Sequence, residues 1–196
     1  MTQAGYYDKR SEFWEHHWNI AQDYEAYLGR SKPEEMAKWI ESEQRIPALS
    51  EEQRSRVRGY GRELRVLLYG GIWCGDCQRQ GAILKRIVEA CGKDVKLRII
   101  ERDASKELQD ELRILGALRT PVAVFLSEDW WEVDRFGDRT LSVYRSRAAR
   151  EIGRGEDLGV LSPNALAIQL EEWVEVIERV LLMLRLAPLL RKRHGD

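Results

Sequence analysis

The sequence predicts an α/β fold: a central mixed sheet flanked by helices, with an all-helical N-terminal extension ahead of it. Three observations carry this. Residues 1 to about 60 hold helical patterns and no strand-like run. From Leu64 onward, short apolar runs alternate with stretches of helical period, the signature of a sheet covered by helices. Finally, Trp131 to Phe136 alternates apolar and charged residues, as a hairpin partner with one solvated face does.

In chain order, Phe13, Ile20, Tyr24 and Tyr27 fall on one helical face, and Gly29 is a stop signal. A second helix is predicted from Ser31, where Ser31 and Glu34 have capping-box spacing and Pro33 fits the first turn. A third is predicted from Ser50, paired with Gln53, ending near Gly59 or Gly61. Leu64–Tyr69 reads as a buried strand, residues 75–91 as a helix closed by Gly92, and Val95–Ile100 as a second strand. A helix from about Ser105 to Leu115 carries Leu108, Leu112 and Leu115 on one face, with Gly116 as its stop. Pro121 then precedes the apolar run Val122–Leu126, a third strand. Residues 137–160, rich in Gly, Arg and Ser, receive no assignment. In the last helix Ser162 caps, Pro163 occupies the first turn, and Leu166, Leu170, Trp173, Ile177, Leu181 and Leu184 form one apolar stripe.

Hydrophobic residues make up 43% of the 196 positions and charged ones 33%, a balance that supports a folded core and argues against disorder. A net charge of −1 argues against a surface built as a field for nucleic acid or acidic membrane. Met1–Ile20 contains no continuous apolar stretch, and Val180–Leu190, interrupted by Arg185 and Pro188, is shorter than a bilayer span. The expectation is a cytoplasmic chain with no membrane and no nucleic-acid partner; oligomeric state is left open.

Chemistry concentrates at Trp73-Cys74-Gly75-Asp76-Cys77, two thiols three positions apart on a strand-to-helix turn. A thiolate is the attacking species in disulfide exchange, and a helix N-terminus stabilises one with unpaired N–H groups and the positive end of its dipole. Cys74, just ahead of the helix, is placed as nucleophile. Cys77, in the first turn and more shielded, is placed as resolver.

With Arg119-Thr120-Pro121 ahead of a strand, these residues make the chain resemble the thioredoxin superfamily over roughly residues 63–136, with the final helix as a last element. The resemblance implies a thioredoxin-like three-layer fold divided into a helical extension (1–62), the thioredoxin-like domain (63–190) and a basic C-terminal tail (191–196). It also implies that Pro121 follows a cis peptide bond beside the dithiol, and that Trp73, Gly75, Asp76, Thr120 and Pro121 meet an extended substrate. Protein disulfides are the implied substrates, an unidentified reductant recharges the dithiol, and no cofactor is called for. The chain departs from the family pattern at three positions: Asp76 where proline is usual, Leu68 where a buried acid assists proton transfer, and Ala82 where a helix-kinking proline is common. Asp76 by charge alone raises the Cys74 pKa, with Arg79 and Arg119 available to offset it.

Two other readings stand beside this. One is a redox-inactive interaction module that keeps the fold with little turnover. The other is a metal site, which would need ligands beyond the pair; Cys91 lies ~21 Å further along the helix, and the adjacent His16 and His17 point about 100° apart. Cys91 reads as an inert core thiol, Trp14, Trp18 and Trp39 as packing residues, and the six arginines of residues 135–154 as a solvated loop.

Overall fold

A computed structural model describes residues 8–196; the part of the predicted extension in residues 1–7 lies outside it. A five-stranded sheet runs in the order β1 (Gln22–Asp23), β3 (Val95–Glu101), β2 (Leu64–Gly70), β4 (Val122–Ser127), β5 (Glu132–Gly137). Strands β2 and β3 are parallel and the other neighbours antiparallel, so the sheet is mixed. Side chains alternate across β2. Leu64, Val66 and Leu68 face one core, and Leu67 and Tyr69 face the other. Burial on both faces explains why this strand reads as a continuous apolar run.

The first core is covered by α2 (Tyr24–Gly29), α3 (Pro33–Arg45), α5 (Gly75–Cys91) and α8 (Pro163–Leu186). The second is covered by α1 (Ser11–Ile20) and α6 (Lys106–Glu111). Three layers result. All six residues of the predicted stripe on α8 are buried, and Ser162 caps it by accepting the Ala165 N–H at 3.2 Å. The short α4 (Glu51–Arg56) starts as predicted, with Ser50 and Gln53 exchanging hydrogen bonds at 3.1 and 2.9 Å.

Several expectations are corrected. The N-terminal segment is not free of strands: the helical face drawn through Phe13 and Tyr27 breaks at Ala21, because Gln22 and Asp23 pair with Ile99 and Arg98 at the sheet edge. The buried face of α1 is Trp14, His17 and Trp18, and Ile20 is exposed. Helix α3 is capped at Lys32, whose N–H meets Glu35 at 3.2 Å, while Ser31 closes the preceding helix by donating to the Leu28 carbonyl at 2.6 Å. Helix α6 ends before Leu115, which is 91% exposed with φ +52°. Leu115 and Gly116, both at positive φ, form a tight turn in which Ile114 and Ala117 exchange backbone hydrogen bonds at 3.1 Å. A register shift in the β4–β5 pair breaks the alternation expected of β5, so Val133 and Phe136 both pack against the first core.

The unassigned region holds helix α7 (Leu141–Ile152), joined to α8 where Glu172 accepts the Ser142 N–H and hydroxyl at 2.8 and 2.7 Å. Part of the basic C-terminal stretch is helical as well: α9 (Pro188–His194) folds back, and Asp196 pairs with the buried Arg62.

Two buried contacts, among others, tie the N-terminal helices to the rest of the fold. Trp39 of α3 is fully buried and lies so close to α5 that a Cβ on Gly81 would stand 2.5 Å from its ring. Its indole N–H donates to the Ile72 carbonyl at 2.9 Å, two residues before Cys74. On the other face, buried His17 bonds the Phe13 carbonyl at 2.7 Å and the Ser105 hydroxyl at 2.8 Å. A neutral imidazole serves both, donating from Nδ1 and accepting at Nε2.

Gly81→Ala overpacks the α3–α5 contact, with an expected loss of roughly 1–3 kcal/mol in urea unfolding; unchanged stability contradicts the contact. Burial lowers the His17 pKa from 6.5, so its stabilising contribution is complete above that value and is lost as pH falls below it. The unfolding midpoint of the native chain should therefore drop more steeply below pH 6.5 than that of His17→Gln, compared pH by pH.

Candidate active site

Cys74 is the N-cap of α5, with extended backbone (φ −86°, ψ 115°), and its sulfur accepts the Cys77 N–H at 3.3 Å. This is a helix cap in which sulfur takes the place usually held by a hydroxyl or carboxylate oxygen. The Thr120 hydroxyl donates to the same sulfur at 3.6 Å, and the Thr120 carbonyl oxygen lies 4.0 Å away. The Thr120–Pro121 peptide is cis.

Both cysteines are free thiols, Cys74 half-buried and Cys77 fully buried. Cys77 Sγ rests on Gly70, where an added Cβ would lie 3.1 Å from it. The Cys74 pKa is lowered to about 6: the Cys77 thiol hydrogen-bonds its thiolate, and the Thr120 hydroxyl and Cys77 N–H add to this, against burial and the Asp76 charge. Cys77 moves the other way, raised by burial and by its thiolate neighbour. One sulfur is poised to attack; the other holds its proton.

Asp76 is neutralised within the site. Its carboxylate meets Arg79 at 2.5 Å and Arg139 at 2.8 Å. Arg79 is held by Gln169 of α8 at 2.7 Å. Of the two cations expected near Asp76, Arg79 is there and Arg119 is not: Arg119 turns to the buried Asp138 at 3.3 Å, which also takes Arg139 at 2.9 Å and the Tyr144 hydroxyl. Sequence reasoning missed Arg139, Asp138 and Tyr144 because residues 137–160 went unassigned. The Arg-rich composition was visible, but not that Arg139 reaches Asp76 of the motif.

The remaining predicted residues are placed as follows. Trp73 is 53% exposed beneath the Arg102 guanidinium, 5.0 Å from its ring centre. Gly75 is exposed with open space where a side chain would be, and Pro121 is buried. Leu68 is fully buried and Ala82 lies in an uninterrupted α5. Cys91 is half-buried, and burial raises its pKa to about 12. Among the described residues no three of His, Cys, Asp and Glu gather into a set that could share a metal ion. No described helix is long and apolar enough to cross a membrane.

A family model described as thioredoxin matches residues 21–148, which span β1 to the middle of α7. The chain belongs to the thioredoxin family. The thioredoxin match begins inside the segment first read as an extension, at the residue where β1 is about to join the sheet. Among solved structures, a protein of unknown function from Pseudomonas aeruginosa aligns at 22% identity and TM-score 0.58, over 98% of this chain and 99% of that one. An HIV 4E10 epitope-scaffold aligns at 20% identity and TM-score 0.54, over 93% and 98%. Both support the fold. No curated protein matches the chain.

Thiolate absorbance at 240 nm should titrate near pH 6 in the reduced protein and lose that step in Cys74→Ser. Removing the hydroxyl donor in Thr120→Val should raise the midpoint by roughly one pH unit, and Asp76→Asn should lower it by less. A Cys74 midpoint near that of free cysteine contradicts the geometry described.

Proposed function

We propose that this thioredoxin-family protein is a cytoplasmic thiol-disulfide oxidoreductase that reduces or exchanges protein disulfides through Cys74 and Cys77. The carrying observation is the division between the two sulfurs: Cys74 is partly exposed, capped by an N–H and a hydroxyl, with its pKa lowered to about 6, while Cys77 is buried behind it and protonated. The Cys74 thiolate attacks one sulfur of a substrate disulfide, releasing the other as thiolate and forming a mixed disulfide. Cys77 loses its proton and attacks Cys74 Sγ; the second substrate sulfur departs and takes up a proton. The substrate gains two electrons and the dithiol becomes a disulfide, which an external reductant must reopen.

Trp73, Gly75, Asp76, Thr120 and Pro121 form the surface assigned to the substrate. The open position at Gly75 leaves Cys74 approachable, and the exposed ring of Trp73 offers an apolar face beside it. A second reading, an interaction module with little turnover, draws support from Leu68, an apolar residue where the family holds its proton-transferring acid.

Cys77→Ser should accumulate covalent adducts through Cys74 in a lysate, dispersed by dithiothreitol and absent when both cysteines are replaced. Equal adduct levels in the single and double variants would count against the mechanism. Negligible reduction of insulin disulfides by the native protein favours the interaction module.

A further inference from the structure

The resolving step leaves a problem that the dithiol alone does not solve. Cys77 is fully buried and burial raises its pKa, so it needs an internal acceptor for its proton before it can attack. Leu68 offers none. Glu101, the last residue of β3, is placed where an acceptor is wanted. It is the parallel-register partner of Gly70, the residue on which Cys77 Sγ rests, and both project toward the sheet face that α5 covers. One strand spacing, about 4.8 Å, separates the two backbones.

The carboxylate is held in place. Glu101 Oε2 accepts the Tyr27 hydroxyl at 2.5 Å and the Ile72 N–H, two residues before Cys74, at 3.4 Å. Tyr27 and Glu101 together line a cavity of about 460 Å³ that opens between α2, the start of α3 and the end of β3. That space is large enough and polar enough for water. The other ionisable groups around the pocket are Arg30, Lys32 and Glu35, with Arg102 adjoining Glu101; Tyr69 projects from the opposite face of β2.

We propose that Glu101, oriented by Tyr27, takes the proton from Cys77 through one water and passes it to solvent by way of this cavity, so that an acid on the neighbouring strand performs the proton transfer that Leu68 cannot. The Cys77 S–H bond breaks, its electron pair forms the Cys74–Cys77 bond, and the Cys74–substrate bond breaks with its electrons going to the leaving sulfur. The proposal rests on the oxidoreductase reading above, and its test separates the two.

Reduced protein mixed with 5,5′-dithiobis(2-nitrobenzoate) releases one thionitrobenzoate when Cys74 attacks and a second when Cys77 resolves, the second at a rate independent of reagent concentration. Glu101→Gln should leave the first phase unchanged and slow the second at pH 7 by about a hundredfold or more. Its second phase should then climb with pH and converge on the native rate in alkali, where hydroxide replaces the carboxylate. Glu101→Asp should restore part of the rate. Tyr27→Phe, which keeps the carboxylate but frees it, should slow the second phase alone. A second phase unaffected in Glu101→Gln, or slowed by the same factor at every pH, overturns the role of Glu101. Native protein that releases no second equivalent overturns the oxidoreductase reading itself.

Discussion

Close seating of α5 between the sheet and α3 is the constraint on which the site depends. A packed helix normally keeps a layer of side chains between its backbone and its neighbours, and here one glycine thins that layer toward the sheet and another toward α3. Gly70 lets Cys77 Sγ rest directly on the sheet, and Gly81 lets the Trp39 ring slide against the helix. The first places the buried sulfur behind Cys74; the second brings α3 near enough for the indole to hold the Ile72 carbonyl. Gln78 Nε2 donates to the same carbonyl at 3.1 Å, so the loop ahead of Cys74 is fixed from two helices. The N-terminal helices are thus part of what shapes the motif loop, and strand β1 between them is part of the sheet.

Charge around the dithiol is arranged so that local pairs decide its chemistry. Asp76, next to the capping sulfur, would oppose ionisation if it stood alone. Arg79 and Arg139 are both within ion-pair distance of it, leaving hydrogen bonds to the sulfur as the dominant influence. Arg139 also bonds Asp138, which in turn bonds Arg119, the residue before Thr120. One chain of ion pairs therefore joins the helix cap, the loop ahead of α7 and the cis-proline segment. Its members are partly sheltered from solvent, which preserves more of their interaction than an exposed pair would retain.

The most readable parts of the sequence are those whose signal is local. Cys74 and Cys77 sit between an apolar strand and a helix with its own stop signal, and the stripe on α8 repeats at helical spacing for about five turns. What stays hidden depends on partners distant in sequence. Strand β1 is two residues long and exists because Ile99 and Arg98 present an edge to it. Helix α7 buries Ser142, Val143 and Ser146, a small polar face with no apolar period to find. The end of α6 turns on positive φ at Leu115, a leucine that reads as the next member of a helical stripe. Glu101 closes a strand, where an acid ordinarily means solvent, and its phenol partner lies 74 residues earlier.

The lowered Cys74 pKa has a consequence for direction as well as rate. Stabilising a thiolate stabilises the reduced dithiol, because the disulfide carries no charge to benefit from the same hydrogen bonds. Each donor aimed at Cys74 Sγ therefore raises the reduction potential relative to an unassisted pair, making the oxidised form a better acceptor of electrons. The burial of Cys77 works otherwise, since it lowers the fraction of thiolate available to close the ring. In the oxidoreductase proposed above, one assisted sulfur and one silent sulfur favour rapid entry into the mixed disulfide and place the control of turnover on how the second proton leaves. That is where the Tyr27–Glu101 pair stands.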